Sequence, residues 1–226
     1  IIPPNDGSGP VKTRAGQILM AIGRRPDVSR LLGKDISLDM KDGKIAVDSD
    51  FETSEPGVYA IGDVAARTQL AHVAAAQGTY VVEKIAGRPH SIKLEVVPNG
   101  MFVSLPIVPN CIYTDPEIAT VGITEEIAKK YGLKVRCGHF SMRDNGKSII
   151  TGEEHGFIRL LFEAYSNTIV GAQMMCPRAT DMIGEIATAI ANGLTAQEMS
   201  FAMRAQPTYN EGIGAAIEDA MRQNPV

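Results

Sequence analysis

The sequence predicts an α+β chain: a partial α/β segment followed by an antiparallel sheet with helices. Three observations predict this. The apolar runs before Ala86 are continuous and break at Gly or Pro, as buried strands do. Beyond Pro109 short strand patterns follow one another through brief polar turns. After Ala179 the pattern turns helical, and strands followed by helices is the α+β layer order.

Taken in order, GQILMAIG (residues 16–23) reads as a buried strand that stops at Gly-Arg-Arg-Pro. GKIAVD (43–48) follows a Lys-Asp-Gly turn and alternates like a short strand. GVYAIGD (57–63) is a third apolar strand, entered through Pro56-Gly57 and ended by Gly62-Asp63. TQLAHVAAAQGTYVVEKIA (68–86) has helical composition and stops at Gly87, a residue suited to a helix C-terminus. The stretch 87–109, with Pro89, Pro98, Pro106 and Pro109, is the best place for a domain boundary.

In the second half CIYTD (111–115) and IATVG (118–122) are short strands around Asp115-Pro116. TEEIAKKYG (124–132) is a helix with Thr124 as its N-cap. LKVRCGHF (133–140), GFIRLLFE (156–163) and IVGAQMM (169–175) are strands, the last two joined as a hairpin by YSNT (165–168). ATDMIGEIATAIANG (179–193) is an amphipathic helix with an Asn-Gly stop, and two further helices follow at 195–203 and 210–223. Helices on one side of an antiparallel sheet complete the expected domain.

Bulk properties narrow the function. A net charge of −4 gives no electrostatic reason to expect nucleic acid or an anionic membrane as partner. No apolar run approaches the roughly twenty residues a membrane span needs. Cys111, Cys137 and Cys176 are far apart and odd in number, without a CxxC pair; this fits reduced thiols in a cytoplasmic protein. His90, His139 and His155 stand in surface or packing contexts, so no metal site is expected.

The most informative local feature is TSEPGVYAIGDVA (53–65). A strand ending in Gly-Asp puts a carboxylate at the carboxyl edge of a sheet, where ligands of open α/β sheets bind. Asp63 could accept hydrogen bonds from ribose-like or ribityl hydroxyls, with Gly62 allowing close approach of the backbone. A helix starting near Gln69 would aim its N–H groups at the same place. On pattern alone, a simple turn-capping role for Asp63 is equally open.

The string Thr-x-x-x-x-Val-Tyr-Ala-Ile-Gly-Asp resembles the second flavin-binding signature of the pyridine-nucleotide disulfide oxidoreductases. That family includes dihydrolipoamide dehydrogenase, glutathione reductase and mercuric reductase. AIGRRPD (21–27) resembles the end of its NAD-binding domain, QLAHVAAAQG (69–78) its flavin-facing helix, and IYTDPEIATVG (112–122) the opening of its dimerisation domain. The order of hairpin and helix from Gly156 onward also follows that domain. The resemblance is closest to the dihydrolipoamide dehydrogenases. It implies the end of an NAD-binding domain at 1–26, the last part of an FAD-binding domain at 27–100, and a dimerisation domain at 101–226.

The resemblance implies FAD and NAD(P)(H) as cofactors and a homodimer formed through residues 101–226. Asp63, with Gly62, would bind the ribityl chain. Gln69, Leu70, Ala71 and His72 would lie by the flavin ring, and Gly23 against the nicotinamide. His72 is implied to be structural. Gln77 stands where the dehydrogenases often carry Glu.

Near the C-terminus RAQPTYNEGIG (204–214) resembles the family's active-site loop, His-Pro-Thr-x-x-Glu. There the His is the acid/base toward a dithiol and the Glu orients it. Chemistry explains the choice: a thiol must lose its proton to attack a disulfide, and His titrates near neutral pH. Pro207, Thr208 and Glu211 match, but the base position holds Gln206, which carries no proton. Pro207 and Glu211 would also suit an ordinary helix start.

The family's Gly-rich FAD and NAD fingerprints and its redox-active CxxxxC pair are absent from these residues. The expectation is therefore the C-terminal portion of an FAD-dependent NAD(P)H:disulfide oxidoreductase, not competent alone. Two alternatives stay open: a non-catalytic dimerisation module, and a pyridine-nucleotide transhydrogenase-like enzyme needing no thiol base. The disulfide substrate is not specified.

Overall fold

The computed structural model describes residues 9, 12, 14–29, 31–33, 36–66, 68–96 and 105–223. Contacts divide the chain into two compact units, Ile1–Ala74 and Ala75–Val226.

In the first unit β1 (Met40–Lys41) and β2 (Lys44–Ile45) form a two-residue hairpin, with Met40 opposite Ile45. Asp42 and Gly43 between them both have positive φ, as the tight turns of such hairpins require. The Lys-Asp-Gly turn is thus where the sequence placed it, although the strand after it is shorter than 43–48. Leu38, Ile45 and Ala60 are the buried centre of this unit, with Val28, Leu32, Val47 and Val64 packed against them.

Two predicted strands are not formed. Residues 16–23 run as irregular chain, with Ile18 and Leu19 each 91% exposed. An apolar run becomes a strand only beside a neighbour offering free N–H and C=O groups, and no described residue ladders with it. Residues 57–63 make a single bridge, Tyr59 to Glu52, and then a 3-10 turn at Gly62–Val64. Here Pro56 and Gly57 turn the chain back on itself, so Thr53 donates to the Val58 carbonyl (2.8 Å) and Ala60 to that of Phe51 (3.0 Å). The helix expected at 68–86 is α1 (Ala71–Ile85), and the division between the units falls within it.

The second unit opens with β3 (Glu95–Val96) against β4 (Leu105–Pro106). The main sheet contains β5 (Asn110–Ile112), β6 (Ile118–Gly122), β7 (Val135–Ser141), β8 (Phe157–Glu163) and β9 (Ile169–Met175). Its order is β5-β6-β9-β8-β7, antiparallel throughout. The β8–β9 hairpin turns at Asn167, in the left-handed region, while Glu163 Oε2 accepts the N–H groups of Tyr165 (3.0 Å) and Ser166 (2.6 Å).

The helices are α2 (Glu125–Lys130), α3 (Gly146–Thr151), α4 (Ala179–Ala191), α5 (Ala196–Ser200) and α6 (Glu211–Arg222). Thr124 caps α2 by accepting from Ile127 N–H at 3.2 Å, as read from the sequence. Thr195 and Glu198 form a reciprocal capping box at α5. Helix α3 has no counterpart in the sequence reading.

Helices α4 and α6 cover one face of the sheet. Ile158, Leu160, Phe162 and Met174 from the strands bury against Ile183, Ile186, Ile190, Ile213 and Ile217. Each such side chain contributes about 1.5–3 kcal/mol when fully removed from water. Helix α6 comes close because β7 carries Gly138: a Cβ there would lie 1.9 Å from the Ala216 carbonyl oxygen. The helices are not all on one side. A second cluster of Ile123, Ala128, Leu161 and Val170 places α2 on the opposite face, since neighbouring strand residues such as Leu160 and Leu161 are both apolar and point opposite ways.

Candidate functional site

The residues singled out by sequence fall in two places, one in each unit. In the first, the 3-10 turn presents Asp63 to solvent while Gly62 is buried. Gly62 has φ +67, and a Cβ on it would meet the Ala74 Cβ at 2.9 Å. Only glycine lets this turn lie flat against the opening of α1. That contact packs the turn carrying Asp63 on the helix whose first residues are Ala71 and His72. Leu70 accepts the N–H of Ala74, so Leu70 is the boundary of the helix, and Ala71 and His72 stand exposed in its first turn. Asp63 makes no hydrogen bond to another described side chain. The arrangement is an exposed, acceptor-only carboxylate in a turn packed on the first turn of α1.

Gly23 has φ +86 and stands in exposed, irregular chain, with nothing within 4 Å of where a Cβ would be.

The second place is the 204–211 loop between α5 and α6. The Gln206–Pro207 peptide bond is cis. Gln206 is exposed, and its amide bonds to no described residue. Glu211 Oε2 accepts the backbone N–H of Thr208 at 2.9 Å, and Thr208 Oγ1 donates to the Ala205 carbonyl at 2.6 Å. Glu211, the first residue of α6, therefore ties the loop back to the helix start, whatever else it does. The loop borders an open cavity of about 610 Å³ lined by Phe140, Asn145, Arg204, Gln206, Glu211 and Glu218 among others.

Three anchors of this loop were not visible in sequence. Asn145 is almost completely buried; its Oδ1 caps α3 through Ser148 N–H (2.9 Å) and its Nδ2 donates to the Thr208 carbonyl (3.0 Å). The Tyr209 hydroxyl is 2.9 Å from Thr151 Oγ1 and donates to Glu153. Glu185, on α4, accepts from Arg204 and Asn210. The one local signal was Asn145 ahead of a Gly-Lys-Ser helix start; the partners lie too far along the chain for spacing to reveal.

Electrostatics agree with a loop tied down by hydrogen bonds. Hydrogen bonds from the Tyr209 and Thr151 hydroxyls hold the Glu153 carboxyl below its ordinary value. Burial, then the Glu153 contact, pushes the Tyr209 phenol up. Burial raises the Cys111 thiol and pushes Cys176 up to about 12, so neither is a nucleophile at neutral pH.

With both places described, comparison with known proteins decides the family. A family model described as the pyridine nucleotide-disulphide oxidoreductase dimerisation domain matches residues 108–217, and one described as pyridine nucleotide-disulphide oxidoreductase matches residues 5–78. The chain belongs to the pyridine nucleotide-disulphide oxidoreductase family. Among curated relatives, a dihydrolipoyl dehydrogenase of Geobacillus stearothermophilus is 34% identical over 218 residues, 96% of this chain and 44% of that protein. One from Mycoplasma pneumoniae is 34% identical over 205 residues, 91% of this chain and 43% of that protein. The chain thus spans less than half the length of these relatives.

Among solved structures, LpdA from Mycobacterium tuberculosis superposes with a TM-score of 0.78 at 26% identity, over 92% of this chain and 42% of that one. The HOCl-induced flavoprotein disulfide reductase RclA from Escherichia coli shares the fold, with a TM-score of 0.75 at 17% identity over 91% of this chain and 44% of that one. Among the described residues no helix is long and apolar enough to cross a membrane.

Proposed function

We propose that this chain supplies part of the flavin site and the homodimer interface of an FAD-dependent NAD(P)H oxidoreductase, most like a dihydrolipoyl dehydrogenase. The observation that carries the reading is the exposed Asp63 carboxylate in a glycine turn packed on the start of α1. Residues of this kind fit a polyhydroxylated chain: the carboxylate accepts from hydroxyls, and the buried Gly62 keeps side-chain bulk out of the approach. Gln69 to His72 would border the ring, and the helix N-terminus would favour negative charge on it. Bound FAD would supply two-electron exchange with a nicotinamide. Domain limits at 26 and 100, a nicotinamide contact at Gly23 and dimerisation through 101–226 belong to this proposal.

Cys111, Cys137 and Cys176 lie on separate strands or strand ends and make no CxxxxC pair, so a dithiol relay is not carried by these residues. A second reading is favoured by Gln206. An exposed amide with no titratable proton leaves the Gln206 position without an acid/base, which suits hydride transfer between nicotinamides better than thiol turnover.

The test is the visible spectrum of the full chain after incubation with FAD and gel filtration. A retained flavin band that Asp63→Asn weakens about tenfold or more, the loss of one charge-assisted hydrogen bond, supports the proposal. A colourless protein, or retention indifferent to Asp63, counts against it. Sedimentation equilibrium tests the dimer separately: a monomer at high concentration removes that part.

A further inference from the structure

Resting on the reading of the 204–211 loop as an active-site loop, we infer that Glu185 is its positioning residue. Its carboxylate divides between the two ends of the loop. Oε1 accepts from Arg204 Nη2 at 2.6 Å and Oε2 from Asn210 Nδ2 at 2.8 Å. Gln206 lies between those two residues. Both ends of one connection therefore meet on a single side chain of α4, and the segment carrying Gln206 closes as a loop over that point.

The tether is stiff for electrostatic reasons. The Arg204 side chain is only 9% exposed. Its Nε has no partner among the described residues, and Nη1 reaches only the Ala202 carbonyl at 3.3 Å. Glu185 is thus the anion that neutralises a guanidinium shielded from water, and bonds of that kind are shorter and stronger than neutral ones. The Asn210 amide has no duty to its own helix: it makes no capping bond to α6. Asn145 and Glu211 grip the middle of the loop, both at Thr208, and leave its ends to Glu185. Glu185 is not among the side chains that line the cavity, so it acts through the loop.

Amide hydrogen exchange of the full chain, read residue by residue, tests this without any assumption about the reaction. Glu185→Ala frees both ends; Asn210→Ala frees one and leaves Arg204 paired; Glu185→Gln keeps one acceptor. Exchange at Thr208 should rise about tenfold or more in Glu185→Ala, measurably in Asn210→Ala, and least in Glu185→Gln. The amides of Ile186 in α4 and Ile217 in α6 should stay within about twofold of the unsubstituted chain, as local opening requires. Adding Asn210→Ala to Glu185→Ala should bring no further rise. Unchanged exchange at Thr208 in both Glu185→Ala and Asn210→Ala overturns the assignment. So does a rise shared equally by Ile186 and Ile217 in Asn210→Ala, the variant that leaves the buried charge paired. Failure of flavin retention would instead strike the reading of the site, leaving the exchange result on Glu185 to stand or fall by itself.

Discussion

Asp219 Oδ2 accepts the backbone N–H of His139 at 2.9 Å, so that α6 closes the outer edge of β7 with a side chain. Gln223 adds to the closure by donating to the Cys137 carbonyl at 3.0 Å, and it also bonds Asp219. Edge strands with free N–H and C=O groups pair with other chains. Asp219→Ala should lower stability by about 0.5–1.5 kcal/mol, the net worth of a typical hydrogen bond, since this one lies at the surface. It should also raise concentration-dependent association. Urea unfolding and light scattering read the two effects, and a soluble variant of unchanged midpoint would refute the assignment.

Gly62 is held to glycine twice over, by φ +67 and by the 2.9 Å approach of any Cβ to Ala74. Gly62→Ala is expected to lose about 1–2 kcal/mol through the left-handed backbone alone. It should also swing Asp63 away from α1 and lower FAD retention more than Asp63→Asn does. Thermal unfolding with and without FAD separates the two contributions.

The Tyr209–Glu153 contact should be sensitive to acid. Glu153 titrates below its ordinary 4.5 in the folded chain, so the stability it contributes is present above that value and lost as pH falls through the lowered one. Tyr209 titrates above 10.0, so its neutral phenol favours the fold until strongly alkaline pH. Tyr209→Phe should therefore be less stable than the unsubstituted chain at neutral pH, and the difference should shrink as pH drops below 4.5. A gap independent of pH would show that the hydroxyl does not engage the carboxylate.

Cys176 is fully buried, and burial pushes its thiol up to about 12. Iodoacetamide at neutral pH should leave Cys176 unmodified in the native chain and alkylate it within the same time in urea. Mass mapping of the three thiols distinguishes it from the half-buried Cys111 and Cys137. Rapid native alkylation at Cys176 would mean that the β9–α4 junction opens readily.

Much of the second unit was legible because its signals are local. The 165–168 hairpin, the Thr124 cap and the amphipathic α4 each rest on residues within a few positions, and turn and cap chemistry acts at that range. The Thr-to-Gly-Asp motif singled out Asp63, but not the single bridge and 3-10 turn that carry it. Helix α3 escaped because six residues leave almost no periodicity to read.

The sequence by itself determined the α+β class, the family motifs, and that an amide, Gln206, stands in the loop before α6. Only the tertiary structure decided that residues 16–23 find no ladder partner among the described residues, that α2 takes the second face of the sheet, and that Gly62 rests on Ala74. It alone decided that Glu185 gathers Arg204 and Asn210. The physical reason is common to all four. Hydrogen bonds and packing contacts are satisfied by whichever groups the fold brings within about 3–4 Å, and those groups are set by topology rather than by neighbours in the chain.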